Sequence, residues 1–282
     1  MPPSSPKASS PPPEPARAVA DPSLLPVLHR DGMMLIIDTP AGLPVHKGPK
    51  GGETLADHLG ALRFGLPRAP ELAHRLDKDT SGCLVLGRHP KALALLGKLF
   101  ATGAVDKTYL AVTQGAPAAD AGRIDQPLAK RSPHRGWWMQ AVPKGTAGAQ
   151  EAITDFCVLH RGDHLSVIAL SPVTGRTHQL RAHLAHLGCP ILGDAIYGGA
   201  SRLPGGPMLH LHSRRIAVPL ARNGPAVAAT APLPPHICAS LRVLGLVPEE
   251  IGAAARMLVL ARRGHASSIT VRRHGWTAGR QP

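Results

Sequence analysis

Runs of apolar residues separated by polar punctuation divide the chain into short strands and a few helices. Residues 33–38 (MMLIID) form a β-prone run closed by Pro40 and Gly42, and Thr54 then caps a helix over TLADHLGALRF. The polar stretch His74-Arg75-Leu76-Asp77-Lys78-Asp79-Thr80-Ser81-Gly82 leads into a strand-like segment at 84–86. The plainest helix follows, with Pro90 in its first turn, Leu93, Leu96, Leu99 and Phe100 on one face, and Gly103 at the stop. VDKTYLAVT (105–113) reads as a strand. Between 114 and 150 the pattern weakens into Gly, Pro and basic residues, a loop or irregular hairpin that carries Trp137 and Trp138. AITDFCVLH and HLSVIALS flank the short turn Arg161-Gly162-Asp163 as a β-hairpin. THQLRAHLAHLG (177–188) reads as a helix with Leu180, Leu184 and Leu187 on one side and Gly188 at its end. LHLHSRRIAVPL (209–220) reads as a further strand.

Strands recur in pairs and singly between isolated helices, without strict alternation. That pattern predicts an α+β fold around a central mixed, mostly antiparallel β-sheet with flanking helices. Residues 1–26 hold nine Pro and five Ser and almost no large apolar side chains, so they predict a disordered leader. The folded domain is expected over 27–247. A C-terminal helix is expected over 248–263, where Pro248 and two Glu open the first turn and Arg262 and Arg263 close the last. Residues 264–282 hold three Arg and no acid, and are expected to form a basic disordered tail.

Composition narrows the function classes. With 282 residues, one large core is the default, and 43% hydrophobic against 18% charged residues excludes collagen, coiled coil and full disorder. The net charge of +14 points to a polyanionic partner, nucleic acid or an anionic membrane surface. No amphipathic helix pairs a broad basic face with an aromatic apolar one, which disfavours the membrane. No G-x-G-x-x-G or G-x-x-x-x-G-K-[ST] cradle is present, so no nucleotide cofactor is expected. Cys83, Cys157, Cys189 and Cys238 form no C-x-x-C pair and read as reduced core thiols. Lacking an apolar signal segment or a long apolar run, the chain is expected to be cytoplasmic and monomeric. Aromatics are scarce, and the tyrosines are only Tyr109 and Tyr197, so either one near polar groups is informative.

Three segments place ionisable groups between apolar runs. In HRLDKDTSG, an extended backbone would put Arg75, Asp77 and Asp79 on one face, whereas the competing reading is a turn whose Asp, Thr and Ser side chains bond locally. Lys107 and Tyr109 share a strand face, where the alternative for Tyr109 is a half-buried core residue. Arg176 and Arg181 flank an expected strand-to-helix junction that also carries His178 and Gln179; the alternative is an exposed basic first turn. His183 and His186 lie one turn apart, but no acidic third ligand accompanies them, so no metal site is expected.

Taken together, HRLDKDTSG, KTYLAV and TGRTHQLRAHLAHLGCPILGDAIYGG resemble the RluA-type family of RNA pseudouridine synthases in order, spacing and wording. The resemblance covers roughly residues 28–245. It implies a mixed sheet split by a basic cleft and isomerisation of uridine in ribosomal or transfer RNA, with no metal or organic cofactor. It also implies roles. Asp77 would be the catalytic aspartate, Arg176 its basic partner, and Tyr109 a stacking surface for the uracil. Arg75 would fill the space left by the flipped base, and Thr80, His178, Gln179 and Arg181 would bind substrate. Only the resemblance separates Asp77 from Asp79. Trp137 and Trp138 either stack on splayed bases or anchor their loop in the core. The small RNA-binding domain of the S4 type is not expected here, which leaves substrate choice to the catalytic domain and its tails.

Overall fold

The computed structural model describes residues 25–45, 52–131, 138–198, 208–221 and 224–255, and the backbone of 268–272 and 275–279. In chain order, β1 (Val27–Arg30) and β2 (Met34–Thr39) lead to α1 (Leu55–His58), which runs into a 3-10 turn at Leu59–Leu62. β3 (Glu71–Leu72), β4 (Ser81–Gly87), α2 (Pro90–Ala101) and β5 (Asp106–Gln114) follow. Next come β6 (Ala121–Asp125), β7 (Leu128–Lys130), β8 (Met139–Ala141), β9 (Ile153–Arg161), β10 (Leu165–Pro172) and α3 (Gln179–His186). β11 (Leu211–Val218), β12 (Val227–Thr230), α4 (Pro235–Val243) and α5 (Pro248–Ala254) complete the main body, and β13 (Ser268–Arg272) pairs with β14 (Gly275–Gly279) as a separate ribbon.

One mixed sheet in the order β1-β2-β4-β11-β5-β10-β9-β6 organises the molecule. Its pairings are antiparallel apart from a short parallel seam, His212 opposite Ser81 and Ser213 opposite Gly82. Beyond that seam β4 and β11 diverge, and β3 and β12 take up the two freed edges. The period-2 alternation of the strands sends two sets of side chains to opposite faces. Leu35, Ile37, Leu84, Leu86, Tyr109, Ala111, Ile168 and Leu170 face α1 and α3. On the other face, Met34, Ile36, Cys83 and Val85 meet α2, while Leu110, Val112, Val167 and Ala169 meet α4 and α5. Each fully buried Leu or Ile contributes roughly 1.5 to 3 kcal/mol of transfer free energy. Covered on both sides, β5 and β10 therefore read as continuous apolar runs.

The α+β reading with a mixed, mostly antiparallel sheet holds, and the strands expected around 33–38, 105–113, 152–160 and 164–171 form within a residue or so of those bounds. Several elements went unread. The stretch 114–150, read as a loop or irregular hairpin, holds the antiparallel β7–β8 ribbon but also β6 of the main sheet, and α4 occupies Pro235–Val243, where no element was expected. Residues 25 and 26, placed in the leader, belong to the fold: Leu25 is buried, and the Pro26 carbonyl accepts from the Asp38 amide at 2.9 Å. The helix expected over 248–263 is seen at Pro248–Ala254, and 256–263 lie outside the described residues. In the stretch read as a disordered tail, the backbone pairs as β13 and β14. The β-branched run Ile269-Thr270-Val271 supplies the strand propensity that the absence of acids had obscured. The cysteines are unpaired, three of them buried.

Candidate active site

Residues 77–80 form a turn, and 75–77 lead into it without one. Thr80 donates its amide to the Asp77 carbonyl at 2.9 Å, and the Lys78 carbonyl accepts from Gly42 at 2.8 Å. His74 anchors the entry: its Nε2 accepts from the Val85 amide at 3.0 Å and its ring stacks on Phe100 at 4.3 Å. Burial pushes the His74 pKa down to about 3, so the ring is a neutral acceptor. The turn reading of HRLDKDTSG thus holds for 77–80, while Arg75 and Asp77, grouped by the extended reading, line one cavity of about 860 Å³. Asp79 does not line it. Tyr109 and Lys107 of β5 form part of the wall, joined by Thr80, by Arg176 in the loop after β10, and by Gln179 and Arg181 of α3. Four cations, Arg75, Lys107, Arg176 and Arg181, share the lining with the carboxylates Asp77 and Glu151.

Asp77 is 19% exposed, and its Oδ2 lies 4.0 Å from Nε2 of the buried His178. The expected ion pair with Arg176 is not formed. Arg176 lines the same cavity but donates Nε to the Glu151 carbonyl at 2.9 Å, because its loop is tied down at the other end: its amide bonds Gln179 Oε1 at 3.0 Å. Burial, reinforced by the charge of Asp77 and opposed by the Ser213 hydroxyl, pushes the Tyr109 phenol well above its ordinary range. Tyr109 therefore stays a neutral ring at physiological pH.

Three residues expected to touch substrate have their polar atoms engaged within the protein. Gln179 accepts from Thr174 and the Arg176 amide and donates to the Ile153 carbonyl and Thr154 Oγ1, all within 2.7 to 3.0 Å. Arg181 makes a bidentate pair with Asp194 at 2.7 and 2.8 Å, with side chains only 4% and 0% exposed. His178 sits behind the cavity wall, not in it, with Nδ1 3.1 Å from Tyr197 Oη. Trp138 is half-buried at the start of β8 under the Arg131 guanidinium, 5.8 Å from its ring, and Trp137 lies outside the described residues. His183, the metal candidate, is buried with Nδ1 2.9 Å from Thr154 Oγ1 and Nε2 3.0 Å from the Gln126 carbonyl. Lys107 lines the cavity beside Tyr109 without having been given a role, and Asp194 and Tyr197, which hold Arg181 and His178 at its wall, went unread. Their signals were in plain view, since Lys107 shares a strand face with Tyr109, and Asp194 and Tyr197 stand in the GDAIYGG end of the third motif.

Residues 33–186 match the RNA pseudouridylate synthase family, more than half of the chain. An uncharacterized RNA pseudouridine synthase of Zymomonas mobilis is 44% identical over 215 residues, spanning 74% of this chain and 93% of the relative. This chain belongs to the RNA pseudouridine synthase family. It is accordingly an isomerase acting on RNA. The ribosomal large subunit pseudouridine synthase D of Xanthomonas campestris is 34% identical, over 84% of this chain and 72% of that protein. Among solved structures, human RNA pseudouridylate synthase domain containing 4 superposes with a TM-score of 0.66 at 31% identity, covering 78% of this chain and 93% of that one. The family's matched segment contains every cavity residue named above, so cavity and family match coincide on one region of the chain.

Proposed function

We propose that this enzyme converts one or more uridines of ribosomal or transfer RNA to pseudouridine, with Asp77 as the acting carboxylate. The observation that carries the reading is the placement of Asp77, and not Asp79, on a cavity whose wall also presents the neutral Tyr109 ring and four cations. The carboxylate either attacks ribose C1′ or takes a proton as the bond from C1′ to N1 breaks; both routes need it ionised. The released uracil turns within the cavity and rejoins C1′ through C5. The C5 proton is lost and N1 gains one, so no oxidant or reductant is required. Tyr109 offers the stacking surface for the turning ring. Its raised pKa suits it to packing and hydrogen bonding in the neutral form, not to acting as a phenolate base. The target nucleotide must leave its helix to reach this wall, and Arg75, exposed at the cavity edge, is positioned to occupy the vacated stack. Arg176, whose side chain is held among the described residues through Nε, retains guanidinium donors for a phosphate or for Asp77 once substrate is in place.

Pseudouridine mapping of total RNA from cells with and without this chain identifies the target. Asp77→Asn should then release no tritium from 5-tritiated uridine in that RNA, while Asp79→Asn retains most activity. Exchange of behaviour between the two variants would sink the assignment.

A further inference from the structure

Tyr197 does not line the cavity, yet it touches the residue beside Asp77. Its Oη lies 3.0 Å from the Met139 backbone nitrogen and 3.1 Å from His178 Nδ1, while Nε2 of the same ring faces Asp77 Oδ2 at 4.0 Å. A backbone N–H only donates, so Met139 occupies a lone pair of the phenol oxygen, and the phenol proton needs an acceptor. Among the described residues, Nδ1 is the acceptor within reach of it. The ring proton then resides on Nε2 and points at the carboxylate. The opposite tautomer would turn a lone pair toward Asp77 and leave the phenol proton without an acceptor among the described residues.

Two further features hold this arrangement. Asp194, clamped by Arg181, accepts the amides of Ile196 and Tyr197 through Oδ1 at 2.9 and 3.1 Å, which fixes the loop carrying the phenol. The Arg181 guanidinium also lies 5.4 Å from the Tyr197 ring centre. His178 itself has φ 51° and ψ 21°, a left-handed conformation uncommon outside glycine, though histidine adopts it more readily than most residues. Among the described residues, the charges acting on the ring are Asp77 and Asp194 on one side of the balance and Arg181 and Arg75 on the other. Burial lowers the pKa of His178 and keeps it neutral at physiological pH.

We infer that Tyr197 is a positioning residue whose hydroxyl holds His178 in the Nε2-protonated tautomer, so that Asp77 faces a hydrogen-bond donor while it acts at C1′. The inference rests on the reading of Asp77 as the acting carboxylate. The decisive measurement is the tautomer of His178, read from the nitrogen-15 shifts of its ring in the full-length wild type and in Tyr197→Phe, which keeps the aromatic packing. Wild type should carry the proton on Nε2, and the variant should shift population toward Nδ1. On 5-tritiated total RNA from cells lacking this chain, Tyr197→Phe should lower the single-turnover rate by about tenfold or more, the range typical of outer partners that orient an active group, with RNA affinity unchanged. A wild-type proton on Nδ1 overturns the inference, and this result needs no variant to fold. Retention of either the wild-type tautomer or the wild-type rate in Tyr197→Phe overturns it as well. Activity in Asp77→Asn would instead defeat the reading of Asp77, so the two failures are distinguishable.

Discussion

At Gly82 the backbone of β4 passes against β11 so closely that an added Cβ would collide with the Ser213 carbonyl, at a φ of +106° that only glycine adopts freely. This explains the glycine that ends HRLDKDTSG, five residues after Asp77. Gly82→Ala should therefore destabilise the fold by roughly 3 kcal/mol or more, read as a lowered urea midpoint, because strain and collision act together on a fully paired strand. At this scale the sequence was a partial guide. Residue types and spacing located the polar turn and the tyrosine, but they left Asp77 and Asp79 equivalent; only the family resemblance favoured Asp77, the one the turn places on the cavity. The partners of Asp77 were illegible for a related reason. Which cation approaches a carboxylate depends on loop anchoring through Gln179 and Glu151, and no local pattern encodes it.

Among the elements, α3 has the most to hold. Its first residue, Gln179, joins Thr174 and the Arg176 amide to β9, so one buried amide sets the position of the whole loop between β10 and the helix. Gln179→Ala leaves those partners unsatisfied. The expected loss is about 2 to 4 kcal/mol of stability, together with slower turnover as the Arg176 loop loosens. A variant of unchanged urea midpoint would show that water replaces the amide. The helices and long strands were readable because each buries a sustained face. The short strands were not: β6, β7 and β8 each bury a single residue, Ile124, Leu128 and Met139, and one apolar position sets no period.

For the whole molecule, the stored histidines set the acid limit. Six of them, His74, His178, His183, His210, His212 and His236, have pKa values lowered by burial, His74 and His212 to about 3. The unfolded chain takes up those protons near pH 6.5 and the folded chain does not. Stability is thus fully present above that pH and falls as pH drops from about 6.5 toward 3, by roughly 1.4 kcal/mol per pH unit for each fully shifted histidine. Asp38 works in reverse: burial raises it to about 6, against the pull of Arg214, so its protonation below that pH favours the fold. Urea unfolding at pH 7 and pH 5 should show a clear net loss at the lower value, with a shallower dependence in His212→Gln. Equal slopes would mean that water reaches the ring between β4 and β11.

The parallel seam between those two strands also governs when the enzyme comes into being during synthesis. β1, β2 and β4 can pair as soon as they leave the ribosome, and β5, β6, β9 and β10 can pair among themselves later, but β11 joins the two groups and begins only at Leu211. Until then Asp77 stands on one half-sheet and Tyr109 on the other. Until β11 is made, the nascent chain accordingly leaves the facing edges of β4 and β5 unpaired and the cavity unassembled, and such open edges are the ones prone to pair with other chains.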